Sequence, residues 1–250
     1  MTQPINGAQV LHTFVHALGW NDLQRLLAGW ISARESRFVC LCNVHSAVTA
    51  ESDPEYARVL ADADLVLPDG MPIAWVLRRK GFAGQPRIGG PDLMWRCCAD
   101  LERSGERLFL FGGSQETLDL LVANLNKAFP RLVIAGALSP PFRPMSTDEE
   151  QKIFDQINDS GAHAVFVALG CPRQEVWMHR NRGRVNAVMF GFGAAFDFHA
   201  QTIKRAPRWM QRAGLEWMHR LVSEPGRLWK RYLVTNTKFI YALLLSAVRG

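Results

Sequence analysis

Six short apolar runs, each stopped by glycine, proline or asparagine, limit what this chain can fold into. They are Arg37–Cys42 before Asn43, Leu65–Leu67 before Pro68-Asp69-Gly70, and Leu108–Phe111 before Gly112-Gly113-Ser114. The others are Leu132–Ala135 before Gly136, Ala164–Leu169 before Gly170-Cys171-Pro172, and Ala187–Phe190 before Gly191-Phe192-Gly193. The runs are continuous rather than alternating, which is how strands covered on both faces read. Helical patterns separate most of them. Strands alternating with helices through short glycine-containing turns predict βαβ units. The expected fold is therefore α/β: a Rossmann-like, mostly parallel sheet with helices on both faces.

The intervening helices are expected over Asp22–Ser32, Glu55–Ala63, Met71–Lys80, Pro91–Ser104, Ser114–Phe129, Thr147–Asn158 and Val176–Asn181. Thr2–Trp20 reads as an opening strand or hairpin. After Ala200 the texture changes. Three further helices are expected near Arg208–Ala213, Leu215–Val222 and Pro225–Val248. The division that follows is an α/β body over 1–200 and a basic helical appendage over 201–250. The formal net charge of the whole chain is +6, yet the last fifty residues hold ten Lys/Arg against two Asp/Glu. That asymmetry implies a polyanionic partner: membrane, nucleic acid or phosphates.

In open α/β sheets the ligand lies beyond the carboxyl ends of the strands. Asp69 stands at such an end, where a general base is useful. On the local sequence alone it suits still better a cap for the next helix, whose Pro72 falls in the first turn. The strand-end glycines Gly112, Gly113, Gly136, Gly170 and Gly191, with Pro172, let backbone amides approach a ligand and aim helix N-termini at phosphate. Together they make a nucleotide diphosphate site plausible. In Gly170-Cys-Pro-Arg-Gln-Glu-Val-Trp177, Gln174 suits sugar hydroxyls or a nucleobase. Glu175 suits either a ligand or the dipole of its own helix.

Other classes fit less well. Gly191-Phe-Gly-Ala-Ala-Phe196 is half of a dinucleotide fingerprint and lacks its third glycine, which disfavours a nicotinamide-dependent oxidoreductase. No phosphate-binding Gly-Lys-Ser/Thr loop or Gly-x-Ser-x-Gly elbow occurs. No helix-turn-helix, RNP-like or zinc-finger pattern supports the other rival, a non-catalytic nucleic-acid-binding module, so nucleic acid is not an expected partner. Histidine and cysteine spacing suggests no metal site, and neither metal nor cofactor is expected. Asp62-Ala63-Asp64 precedes a strand instead of following one, so it reads as a helix end. Five cysteines without a C-x-x-C pair, a polar Met1–Gly7 and no long apolar span fit a reducing cytoplasm.

Asn43, Ala63-Asp-Leu65 with Pro68-Asp-Gly70, Arg87-Ile-Gly-Gly-Pro-Asp92, Gly170–Trp177, Arg205-Ala-Pro207 and Leu215-Glu-Trp-Met-His-Arg220 with Glu224-Pro225 occur in this order. In these motifs the chain resembles the WecG/TagA/CpsF glycosyltransferases over about Phe38–Tyr232. The resemblance implies transfer of a hexose or N-acetylhexosamine from a UDP-sugar to a polyprenyl-diphosphate-linked saccharide, for cell-surface polymer or exopolysaccharide synthesis. It implies that Asp69 is the general base, that Asn43 and Gln174 line the substrate pocket, and that Arg87 contacts phosphate. Arg220, Arg227 and Arg231 match basic positions of an appendage linked to membrane docking and site closure. An inverting transfer needs a base on the acceptor and positive charge on the leaving diphosphate. The expected location is cytoplasmic, peripheral on an anionic inner leaflet, with room for a homo-oligomer. Leu41 stands where some members carry threonine, a departure that bears on donor or acceptor preference.

Overall fold

The computed structural model describes residues 5–141, 143 and 145–248, without the side chains of residues 212, 227, 231 and 245–248. The chain opens with a hairpin, β1 (Gly7–Val10) and β2 (Thr13–His16). This resolves the ambiguous N-terminal stretch. Then follow α1 (Trp20–Ser32), β3 (Arg37–Cys42), α2 (Val44–Ser52), α3 (Pro54–Ala61), β4 (Leu65–Pro68), α4 (Met71–Arg79) and α5 (Gly90–Ser104). The second half runs β5 (Arg107–Gly112), α6 (Gln115–Ala128), β6 (Val133–Leu138), α7 (Thr147–Asp159), β7 (Ala164–Ala168), α8 (Arg173–Asn181), β8 (Val188–Gly191) and α9 (Ala195–His199). It closes with α10 (Arg208–Arg212), α11 (Glu216–Ser223) and α12 (Pro225–Val248).

Six strands form one sheet in the order β4-β3-β8-β7-β5-β6, and every neighbouring pair is parallel. The expected Rossmann-like α/β fold is the observed one. Successive side chains on a strand point to opposite faces, and the two apolar layers divide accordingly. On β3, Phe38, Cys40 and Cys42 enter one layer and Val39 and Leu41 the other. Val66 joins the first, and Leu65 and Leu67 the second. Apolar residues of α2, α3, α4, α7 and α8 complete the first layer, while α1, α5 and α6 complete the second.

The hairpin protects an edge. The backbone N–H of Val66 donates to His16 Nδ1 at 3.0 Å, which occupies a donor that an edge strand otherwise leaves open. Burial of that imidazole lowers the His16 pKa, favouring the neutral ring that accepts this bond.

Two expectations about the elements need correction. β6 does not stop before Gly136. It runs on to Leu138, with a shift in register against β5 between Leu108 and Phe109. Gly136 lies at this irregularity because a Cβ there would stand 2.5 Å from the Phe109 ring. It is a packing glycine inside a strand. Helix α2 also went unread. Its sequence, VHSAVTAES, carries no strong apolar stripe, and its start is marked only by the cap at Asn43.

Candidate active site

Because β4, β3, β8 and β7 are neighbours, their carboxyl ends gather residues that are far apart in the chain. Asn43, Asp69, Gly170 and Gly193 line one cavity of about 1030 Å³ with Arg87, Gln174 and Glu175. Helices α2, α4, α5, α8 and α9 all begin in its wall. Their N-terminal N–H groups and dipoles make the cavity favourable to anions.

Asn43 serves two elements at once. Its Oδ1 accepts the backbone N–H groups of His45 (3.0 Å) and Ser46 (3.1 Å), capping α2, while Ser46 Oγ accepts the Asn43 N–H in return. The side chain also hydrogen-bonds the Asp69 carboxylate. With Oδ1 taken, the amide N–H is the group left to donate. The Gly90 N–H is a second donor to Asp69. Asp69 is therefore not the cap of α4. The N-cap there is Gly70, with no side-chain bond. Burial raises the Asp69 pKa, and the Arg87 guanidinium and these hydrogen bonds hold part of the rise back. The result is a carboxylate held in place by two donors and more basic than usual.

Arg87 belongs to a four-membered ion cluster. It pairs with Asp92 Oδ2 at 3.0 Å and with Glu216. Arg205 holds Asp92 through two bonds of 2.7 Å and Glu216 at 3.0 Å. The bidentate fork is the geometry that guanidinium makes with carboxylate. The cluster ties the loop before α5, the head of α5, the Arg205 segment and the head of α11 together beside Asp69. Asp92, Arg205 and Glu216 were conspicuous in the sequence only as motif members without a role.

Gln174 is buried, and its Nε2 donates to Glu175 Oε1 at 2.8 Å. Glu175 is 1% exposed, its pKa is pushed by burial up to about 7, and the Gln174 and Cys171 contacts limit the rise. The Tyr56 hydroxyl lies 3.3 Å from Cys171 Sγ. A carboxyl whose folded pKa exceeds its unfolded value is most favourable when protonated. Its contribution is complete below the unfolded pKa near 4.5 and is lost as pH rises through about 7. The cost above pH 7 is of order 3 kcal/mol. Glu175→Gln should remove this slope. Urea unfolding at pH 5 and pH 8 should show the variant gaining about 2–3 kcal/mol on the parent across that interval; parallel changes would refute the assignment.

Gly113 and Gly191 line the cavity, as does Leu41, which sits against Gly90. Gly112 and Pro172 do not. Gly112 (φ +113°) lets β5 lie against β7, since a Cβ would stand 2.5 Å from the Ala168 carbonyl oxygen. Pro172 is the N-cap residue of α8. Gly136 is remote in β6. Arg220 lines the cavity, pairs with Glu224 at 3.2 Å and lies over the Phe198 ring. The side chains of Arg227 and Arg231 lie outside the described residues. Asp62 and Asp64 sit at the amino end of β4, away from the cavity. Asp64 bonds Arg37, Arg182 and the Phe38 N–H, and Asp62 meets His179. Among the described residues no cluster of three or more His, Cys, Asp or Glu could hold a metal ion.

The family model described as "Glycosyl transferase WecG/TagA/CpsF family" matches residues 8–250, nearly the whole chain. The chain belongs to this family. A Bacillus spizizenii N-acetylglucosaminyldiphosphoundecaprenol N-acetyl-beta-D-mannosaminyltransferase is 31% identical over 244 residues, covering 97% of this chain and 91% of that protein. The Bacillus subtilis protein of the same name is 31% identical over 205 residues, covering 82% of this chain and 78% of its own. This WecG/TagA/CpsF member is thus a glycosyltransferase, and neither an oxidoreductase nor a nucleic-acid-binding module is favoured.

Proposed function

We propose that the enzyme transfers N-acetylmannosamine from a UDP-sugar to an N-acetylglucosaminyl-diphosphate-polyprenol by a single inverting displacement. The observation that carries the reading is Asp69: a carboxylate at a strand end, oriented by Asn43 and Gly90, with raised basicity and a guanidinium at its side. Asp69 takes the proton of the acceptor hydroxyl. The freed oxygen bonds the anomeric carbon as that carbon's bond to the diphosphate breaks, and UDP leaves with the electron pair. Arg87 and the N-terminal N–H groups of the surrounding helices stabilise the charge that grows on the diphosphate. Gln174 and Glu175 contact the sugar or base. The relatives' printed names supply the sugar and the acceptor class.

The test is a panel of UDP-sugars offered with a short-chain N-acetylglucosaminyl-diphosphate lipid, read by product mass in EDTA. UDP-N-acetylmannosamine alone should add one sugar. Another single donor would change the substrate, and no transfer with no UDP binding would remove the proposal. Because the charge is carried by arginine and backbone N–H groups, EDTA should leave the rate within about twofold. Loss restored by Mg²⁺ or Mn²⁺ would mean that a metal does this work instead.

We also propose that the enzyme works on the inner leaflet as a peripheral protein, its C-terminal helices forming a docking appendage. No helix among the described residues is long and apolar enough to cross a membrane. Trp209 and Trp229 are exposed in this basic region, a combination suited to anionic lipid. Replacing both by serine should lower binding to anionic vesicles by about tenfold or more. An unchanged bound fraction would put the docking surface elsewhere.

A further inference from the structure

Helix α12 presents one face to the active-site cavity. Tyr232, Asn236, Phe239 and Leu243 follow one another at intervals of three and four, Ile240 lies four after Asn236, and all five line the cavity, so they share one side of the helix. At 1.5 Å per residue this wall is about 16 Å long. Phe239 is buried in the same apolar layer as Val76 of α4, with Val44 of α2 and Leu243 packed against that layer. Val44, Trp75 and Val76 carry the apolar lining onto α2 and α4. At the rim, Trp75 is 47% and Ile240 59% exposed.

Asn43, Asp69, Gln174 and Glu175 stand at the strand ends, whereas the α12 side, apart from Thr235 and Asn236, is built from Tyr232, Phe239, Ile240 and Leu243. Large apolar side chains facing a solvent-filled space mark a site for an apolar ligand. An acceptor hydroxyl held at Asp69 is joined through its saccharide and a diphosphate to a lipid, which has to leave the cavity along some wall. Arg79 and Arg220 line the same cavity and can meet the diphosphate on that route.

We propose that the α12 wall, with Trp75 and Val44, is a subsite for the first isoprenyl units of the lipid acceptor. This rests on the acceptor reading given above. The lipid is then recognised inside the protein, over and above any attraction of the appendage to a membrane surface. Helix α12 is a substrate-binding element whose inner face reads the chain.

The experiment is a series of acceptors with one N-acetylglucosaminyl-diphosphate head and one, two, three or four isoprenyl units. Each is kept below its micelle concentration, without vesicles or detergent. kcat/KM should rise by about tenfold or more from one unit to three and then level off as the wall is filled. Ile240→Ser and Trp75→Ser, both at the exposed rim where folding is little affected, should each compress the ratio between the longest and shortest acceptor by about threefold or more. A flat series in the parent enzyme would overturn the subsite. So would ratios unaltered in both variants, or a length dependence that emerges only when vesicles are added. Absence of transfer to every member would overturn the acceptor reading beneath it.

Discussion

Asp69→Asn should abolish sugar transfer while UDP binds nearly as before. The substitution keeps size and shape, and asparagine can still meet Asn43 and the Gly90 N–H after an amide rotation. It removes the one carboxylate that these two groups orient toward the cavity. General-base catalysis contributes about 10² to 10⁴ in rate, so kcat should fall by at least about a hundredfold. Near-normal turnover would exclude Asp69 as the base. The acid limb of the pH profile offers a second reading. Burial raises the Asp69 pKa, and the base must be ionised to act. Activity should therefore rise with pH through a midpoint above the ordinary carboxylate range. That limb should disappear from the residual activity of Asp69→Asn.

Arg87→Lys should be nearly as damaging, by a different route. The guanidinium spans Asp92 and Glu216 at once and also lowers the cost of ionising Asp69. Lysine keeps one charge but cannot bond two carboxylates in a fork. Loss of an oriented cation on a developing diphosphate charge costs about 10² to 10³ in rate. In contrast to Asp69→Asn, UDP affinity should fall as well, because the cation acts on bound diphosphate before the chemistry begins. Asp92 and Glu216 would keep only Arg205 as partner, and about 2 kcal/mol of stability should go with the fork. Calorimetric titration with UDP and a urea midpoint on the same protein check both effects. A lysine variant with parental UDP affinity and rate would show that Arg87 only fastens α11 to the body.

These two residues differ in how far the sequence announced their surroundings. Asp69 follows a continuous aliphatic run, and the rule that ligands sit beyond strand ends placed it at the site before any contact was known. The parallel sheet was legible for the same reason: both faces of β3, β4, β5 and β7 are apolar. Whether Asp69 caps α4 was not legible: Gly70 takes that position, and Asp69 instead meets the Asn43 amide, 26 residues earlier in the chain. The Arg87 cluster was hidden for the same physical reason, since hydrophobic period reports which face is buried and nothing about which charge meets which. Arg205 and Asp92 meet across 113 residues, and Arg87 and Glu216 across 129. Gly136 misled because glycine at a register shift and glycine at a strand end look alike in sequence. Helix α2 escaped because a capping box supplied its start where amphipathic patterning was weak. The apolar face of α12 was visible as composition, but that it lines the cavity needed the packing of α12 on α2.

In the proposed single displacement Asp69 is a base and never a nucleophile. The most direct measurement is the anomeric configuration of the transferred sugar, by NMR of the product made from a donor of known α configuration. A β linkage from the α donor, formed in one step, is the expected result. Retention of configuration would contradict it, because it would require either a covalent sugar–enzyme intermediate or attack on the same face as the leaving diphosphate.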